Sequence, residues 1–460
     1  MLKRFLTVAL ALLTLAVARA EPPPHHVLAR DIYRELIELN TTGAHGATAA
    51  AVAMQARLKA AGFTDSELTL IGPTPAAQNL VVRLRGRGEQ RPVIFIGHLD
   101  VVEALPADWT TDPFKLVEKD GYFYGRGTMD MKDGDTALVV SLIRLKQSGY
   151  IPRGDIIVAL TDHEEDGGDN GAIWLVQTHR ELVDAAYGIN PDGGSGSTKD
   201  GRAVTLEFQT AEKTYVGIDL EVKSAGGHAS LPVKDNAIYR LVAGLARLAA
   251  YEFPFNLNET TRAYFARSAL QETGQTKADM LAVAQTPSDL AAAARLAAVS
   301  PFYNALLRTT CVATQLQGGH AENALPQTAR ATLNARILPG EDPAAVKATL
   351  EHVLADDQIR ITRYLAYPAG ALSPLNPAVF AKVEKLAAQR WPGVTVVPTM
   401  STGATDSVHW RNVGIPMYGV SGAFLPAGEH RAHGRDERLG VQEFYASVDF
   451  MYDLMRALTE

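Results

Sequence analysis

The sequence predicts an α/β protein: a mixed-sheet domain with helices on both faces, interrupted by a smaller α+β domain of ferredoxin-like order. Three observations predict it. Short runs rich in Val, Ile and Phe, bounded by Gly or Pro, alternate with stretches of helical periodicity up to about residue 211 and again after Pro368. Between them the order of elements changes to βαββαβ, which describes one sheet covered by two helices. The composition, 47% hydrophobic and 21% charged over 460 residues, is that of an ordinary globular chain long enough for two or three domains.

Residues 1–20 hold Lys3 and Arg4, an apolar run from Phe5 to Val17, and Ala18-Arg19-Ala20. A short basic region, an apolar run too brief to span a membrane and small residues at the cleavage positions predict a secretory signal peptide, hence an exported, periplasmic or secreted protein. Its removal takes away three basic side chains and no acid, moving the net charge from −7 to −10 over 440 residues. No later run reaches the ~18 apolar residues of a membrane span. Without a basic excess, nothing favours nucleic acid as a partner. The single cysteine, Cys311, excludes an internal disulfide, so the chemistry must come from His, Asp and Glu.

The first part of the larger domain covers 21–211. It is helical up to Gly62, strand-like at 79–84 and 92–97, helical at 136–147, strand-like at 155–160 and helical at 171–180. The smaller domain covers 212–366, with strands at 216–223, 306–316, 328–337 and 359–364 and helices at 236–250 and 343–354. A mostly helical insert at about 252–305 interrupts it. The larger domain resumes over 367–460, with helices at 377–389 and 441–458 around strands at 394–398 and 416–420.

Five clusters carry candidate chemistry, each after a predicted strand or a Gly-rich turn. In Gly97-His98-Leu99-Asp100, residues i and i+2 of an extended chain point the same way, so Asp100 can orient the His98 ring as metal-binding histidines are oriented. Alone, the pattern is weak, and a structural His–Asp pair is the reading it favours. In Gly125-Arg126-Gly127-Thr128-Met129-Asp130, flanking glycines let a carboxylate approach a cation, and its two oxygens can bridge two. Thr161-Asp162-His163-Glu164-Glu165-Asp166 crowds four acids into five positions beside an apolar strand, where they repel unless a cation or proton neutralises them. Adjacent glutamates point in different directions, which suits one as ligand and the other as general base. Asn190-Pro191-Asp192-Gly193-Gly194 and the segment from Glu429 to Glu437, with His430 and His433, complete the set. Either read alone is an ordinary loop. Together, oxygen and imidazole donors without thiolates fit zinc, cobalt or manganese in a catalytic site with an open position.

With these clusters in this order, the chain resembles the di-zinc exopeptidases and amidohydrolases that include glutamate carboxypeptidase, acetylornithine deacetylase, succinyl-diaminopimelate desuccinylase and aminoacylase. The resemblance implies two divalent metal ions, zinc with cobalt or manganese as alternatives, with His98 and Asp192 on one, Glu165 and His433 on the other, and Asp130 bridging. It implies Glu164 as general base and Asp100 as the residue orienting His98. Asp192 is the carboxylate available in its loop, and Ala432-His433-Gly434-Arg435-Asp436-Glu437 matches the closing motif, which selects His433 over His430. The smaller domain becomes a lid. There, Gly226-Gly227-His228-Ala229-Ser230 resembles the segment of the histidine that helps stabilise the oxyanion, and Asn323 with Arg336 resembles the pair that grips the substrate's carboxylate and carbonyl. The segment 402–407 resembles a cleft-lining loop. The long insert is similar to the carboxypeptidase S type and leaves open whether the lid also forms a homodimer surface. The implied function is hydrolysis of an amide bond in a small peptide or N-acyl amino acid with a free carboxylate, of carboxypeptidase or dipeptidase type, by a water bridging the metals. A narrow N-acyl amino acid deacylase is the alternative, and a non-catalytic binding protein on the same fold a more distant one.

Overall fold

The computed structural model describes residues 21–366, 370–426 and 428–460; the predicted signal peptide at 1–20 lies outside them. Apolar strands organise the larger domain. Val93–His98 and Ile156–Thr161 are buried along their whole length and pair in parallel, as central strands covered on both faces do. Around them a mixed sheet runs from Leu68–Ile71 and Asn79–Leu84 on one side to Tyr187–Asn190, Met417–Gly419 and Arg202–Glu212 on the other. One face carries the Pro24–Glu38, Thr48–Ala60, Lys132–Gln147 and Val441–Thr459 helices over Leu80, Phe95, Val158 and Phe208. The other face is covered by Gly171–Thr178 and Ser407–Asn412, with Ile94, Ile157, Leu175 and Trp410 between the layers. The parallel strands share a direction, so the loops after His98, Thr161 and Asn190 emerge at the same sheet end. That end is where ligands collect in open α/β sheets.

The smaller domain has the βαββαβ order, with Thr214–Lys223, Thr310–Gly318, Thr328–Ile337 and Arg360–Ala366 in one antiparallel sheet. Ala329, Ala331, Leu333, Ala335 and Ile337 point into its core against the Ala237–Ala250 and Pro343–Leu354 helices. Strand alternation therefore sends Arg336 to the opposite face. Asn236 and Asp342 cap those helices through their side-chain oxygens, which accept from Tyr239 N and Ala344 N.

Two stretches differ from expectation. The predicted strand at 306–316 begins only at Thr310, because Leu306 and Leu307 end the Pro301–Leu307 helix and are buried in the insert's own core. A short apolar run cannot by itself tell a buried helix end from a strand start. The insert, built from Glu259–Ser268, Gly274–Val283, Leu290–Val299 and Pro301–Leu307, closes its apolar side on Ala211 and Met400 of the large sheet and on Leu338. Arg267 fastens it further through Glu384 at 2.6 Å. The second difference is the strand Arg202–Glu212, which the sequence reading passed over. It pairs in parallel with Thr395–Ser401 and carries the insert. Among the described residues no helix is long and apolar enough to cross a membrane.

Leu142 is fully buried in the core between sheet and helices. Leu142→Ala should lower the stability of unfolding by about 2–5 kcal/mol in urea titrations, whereas Leu316→Ala, on the exposed edge of the smaller sheet, should change it by roughly 0.5 kcal/mol or less.

Candidate active site

Each of the five clusters delivers its side chain to the same sheet end. His98 closes a fully buried strand, and its ring is only 2% exposed. Its Nε2 lies 3.2 Å from Asp130 Oδ1, while the other oxygen of Asp130 lies 3.0 Å from His433 Nε2. His433 Nε2 is also 2.9 Å from Glu165 Oε2. Asp130 thus stands between two histidines that are 335 positions apart in sequence. The donor atoms of His98, Asp130 and Asp192 lie within 4.8 Å of one another, and so do those of Asp130, Glu165 and His433. His430, by contrast, belongs to neither triad and lies exposed at the rim.

Several buried contacts hold these groups in position. The Glu437 carboxylate, fully buried, accepts from Arg126 Nη1 at 2.6 Å and from the backbone N–H groups of Gly127 and Met129 at 3.2 and 2.7 Å, which fixes the turn that presents Asp130. His433 adopts a left-handed backbone (φ 64°), a conformation that costs a non-glycine residue on the order of 1 kcal/mol and is maintained by its surroundings. Asp100 contributes differently from expectation. The His98 Nδ1 contact at hydrogen-bond distance, 3.1 Å, is the backbone carbonyl of Asp100, with its carboxylate at 3.6 Å. That carboxylate accepts instead from the backbone N–H groups of Glu164 and Glu165, at 3.1 and 3.0 Å, so Asp100 positions the glutamate pair as well as the ring. Asp406, from the 402–407 loop, accepts from Thr161 Oγ1 and Asn170 Nδ2 and closes the other side of the glutamates.

The electrostatics match a site built for cations. Burial and the neighbouring Asp130 charge push Asp192 up to about 8, and burial raises both Glu164 and Glu165. Hydrogen bonds to Asp130 and Glu165 lift His433 to about 10. Asp130 moves down, as Asp100 does: burial opposes the shift, but for Asp130 hydrogen bonds from His433 and His98 outweigh it. Carboxylates packed this closely repel one another, and two divalent ions sharing Asp130 would neutralise them with nitrogen and oxygen donors of the right type. The donor set therefore fits a binuclear centre.

Two cavities flank the centre and meet at Gly403, Ala404 and Thr405. One, of about 470 Å³, is lined by Glu164, Glu165, His433 and Arg336. Arg336 lies against the Tyr215 ring and donates to Asn334 Oδ1, and among the described residues no carboxylate pairs with it. Glu212, buried against Arg411 at 3.0 Å, accepts from Thr405 N and Oγ1 and so fixes the loop between the cavities. His228 and Asn323 sit elsewhere. They adjoin in a short hairpin, Gly227–His228 with Ala324–Leu325, are exposed, and line neither cavity. Arg336 is at the other end of the Thr328–Ile337 strand, and at ~3.3 Å per residue the eight steps from Thr328 span roughly 25 Å. Sequence spacing could not reveal this separation, since it depends on the strand staying extended. Lys213 and Glu212 were likewise missed as cavity residues, each being one acid or base in a segment without a motif, whereas Asp406 lies in the 402–407 loop expected to line the cleft.

A chain with these features has known relatives. The profile of "Peptidase family M20/M25/M40" matches residues 94–457, and the chain belongs to this family of hydrolases. It is 29% identical over 399 residues to the "Probable carboxypeptidase S-like 2" of Dictyostelium discoideum, covering 83% of this chain and 74% of that one. It is 27% identical over 373 residues to the "N-fatty-acyl-amino acid synthase/hydrolase PM20D1" of Homo sapiens, covering 80% and 74%. The solved structure of the M20 family metallo-carboxypeptidase Sso-CP2 from Sulfolobus solfataricus matches with a TM-score of 0.71 at 17% identity, over 93% of this chain and 98% of that one. The Bacillus subtilis YXEP protein, a dinuclear metal binding peptidase from the M20 family, matches at 0.60 and 12% identity, over 95% and 98%. At those identities the two structures establish the shared fold of large sheet and smaller domain.

Lys213 offers a check on the cavity's interior. Burial pushes its ammonium down to about 7, while its Nζ donates to the Arg308 carbonyl at 2.8 Å. An unfolded lysine holds its proton to ~10.4, so between about pH 7 and 10 the unfolded chain binds more protons and stability rises with pH. In urea titrations, wild type should therefore gain on Lys213→Met as pH is raised from about 6.5 to 9. A flat or falling difference would contradict the buried, weakly basic amine.

Proposed function

We propose that the protein is an exported, binuclear metal-dependent hydrolase that cleaves the amide bond of small peptides or N-acyl amino acids bearing a free carboxylate. The observation that carries this reading is the pair of donor triads sharing Asp130, with Glu164 beside them in a cavity that also holds Arg336. His98, Asp130 and Asp192 would hold one metal ion, and Asp130, Glu165 and His433 the other, with zinc the ion best suited and cobalt or manganese compatible. When bound, the ions would lower the pKa of water from ~15.7 towards ~7 and polarise the scissile carbonyl.

The protein's own residues supply the rest. Glu164 takes the proton from the attacking water as its oxygen bonds to the carbonyl carbon, and delivers that proton to the amine nitrogen as the C–N bond breaks. Asp100 keeps this carboxylate in place through the Glu164 N–H. Arg336 receives the substrate's free carboxylate, for which a planar guanidinium with no carboxylate partner among the described residues is suited. His228 would add a donor for the carbonyl oxygen as negative charge develops on it, with Asn323 beside it. Since their hairpin and Arg336 are at opposite ends of one strand, a second copy joined through the lid is the source from which they would reach the carbonyl. The similarity to the human N-fatty-acyl-amino acid synthase/hydrolase favours a second reading, a narrow N-acyl amino acid deacylase using the same machinery.

Glu164→Ala should lower kcat/KM by about 10²–10⁴-fold with zinc content maintained; activity within about tenfold of wild type would remove Glu164 from its role. Arg336→Met should raise KM for a dipeptide but not for its carboxamide. If the lid histidine acts across a dimer, mixing inactive Glu164→Ala and His228→Ala copies should restore activity, whereas a chain that acts alone would show no recovery.

A further inference from the structure

The second cavity, of about 510 Å³, is lined by residues of the large sheet and by Phe302 of the insert. Its titratable lining groups are Asp130 and Asp192 of the triads, the buried Asp133, the exposed His430, and Glu207. Glu207 belongs to neither triad. Strand alternation explains its place: Leu206 and Phe208 enter the core of the large sheet, while Glu207 and Gln209 face the cavity. Gln209 is engaged by Glu212, at 3.2 Å. Among the described residues no donor or cation reaches the Glu207 carboxylate, and burial alone pushes it up to about 7. A half-buried carboxylate without a protein partner is poorly stabilised, and a cation entering the cavity would supply that partner.

The two cavities differ in charge in a way that orients a substrate. Arg336 stands in the first, so the carboxylate-bearing leaving amino acid belongs there, and the acyl part must extend into the second. We propose that this second cavity is the acyl-side subsite and that Glu207 selects acyl groups carrying a cation: an aminoacyl group with a free α-ammonium, or with a lysine or arginine side chain. The proposal rests on the amidase reading above and narrows it, since a plain alkyl acyl chain would strand the carboxylate against apolar atoms. Phe302 supplies an apolar wall for the carbon chain that carries the cation.

The test uses the zinc-loaded full chain and four substrates with one leaving residue: lysyl-, norleucyl-, N-acetyl-lysyl- and N-acetyl-norleucyl-phenylalanine. Wild type should favour at least one cation-bearing acyl group over N-acetyl-norleucyl by about tenfold or more in kcat/KM, the scale of one charge-assisted hydrogen bond. In Glu207→Gln that preference should fall to within about threefold, and the substrates whose advantage vanishes identify the α-ammonium or the side-chain cation as the recognised group. Glu207→Ala serves as a second variant, with thermal unfolding and zinc content measured for both. Calorimetric binding of the same four compounds separates the two readings. Cation-dependent binding lost in the Glu207 variants without any hydrolysis upholds the subsite and sinks the amidase reading. Absence of a cation preference, its survival in both variants, an equal loss on all four compounds, or binding of none overturns the subsite.

Discussion

The two oxygens of Asp130 face two histidines, His98 and His433, and the rest of the site is arranged so that this shared carboxylate can stay where it is. It cannot be positioned from one part of the chain. Its own turn is tied down by Glu437 through Arg126 and two backbone amides, and Glu437 lies four residues beyond His433. The loop that supplies the second histidine is therefore also the loop that fixes the bridge. A buried, hydrogen-bonded charge pair of this kind, Arg126 with Glu437, contributes little net stability, yet loss of one partner costs about 3–5 kcal/mol because the other is left buried and charged.

Charge crowding is the second consequence. Asp130, Glu164, Glu165 and Asp192 converge at one sheet end, and Asp100 lies beneath them with its carboxylate held by the Glu164 and Glu165 amides. Backbone donors stabilise Asp100 without consuming the glutamate side chains, which stay available for the ligand and general-base roles proposed for them. Around this acidic centre Arg336 and Lys213 line the cavity of Glu164 and Glu165, while the other cavity holds Glu207, which has no cationic partner among the described residues. This polarity follows from alternation along two strands, Thr328–Ile337 in the smaller sheet and Arg202–Glu212 in the larger.

Much of this was legible in the sequence for a simple physical reason. Candidate ligands at the ends of fully apolar strands leave a local signature, a run such as Val93 to Ile96 followed closely by His98 and Asp100, or Ile156 to Leu160 followed by paired glutamates. The βαββαβ order was readable because its inner strands, Thr328–Ile337 most clearly, alternate between buried and more exposed positions. What stayed hidden depends on three-dimensional placement. The Asp100 side chain could have reached His98, and its preference for two backbone amides is set by how the 161–165 turn folds back. The distance between Asn323 and Arg336 is a property of an extended strand, not of a thirteen-residue spacing. Glu207 went unnoticed because the strand that carries it was passed over, and its cavity depends on the insert, whose Phe302 lines it.

The central claim is that two divalent ions share Asp130, and metal stoichiometry tests it most directly. Elemental analysis of the zinc-loaded protein after gel filtration should give about two ions per chain, falling to one in His433→Ala and to none or a weakly held one in Asp130→Ala, because the first variant removes a ligand from one triad and the second from both. One ion or fewer in the wild type, or two retained in Asp130→Ala, would contradict the shared-carboxylate centre.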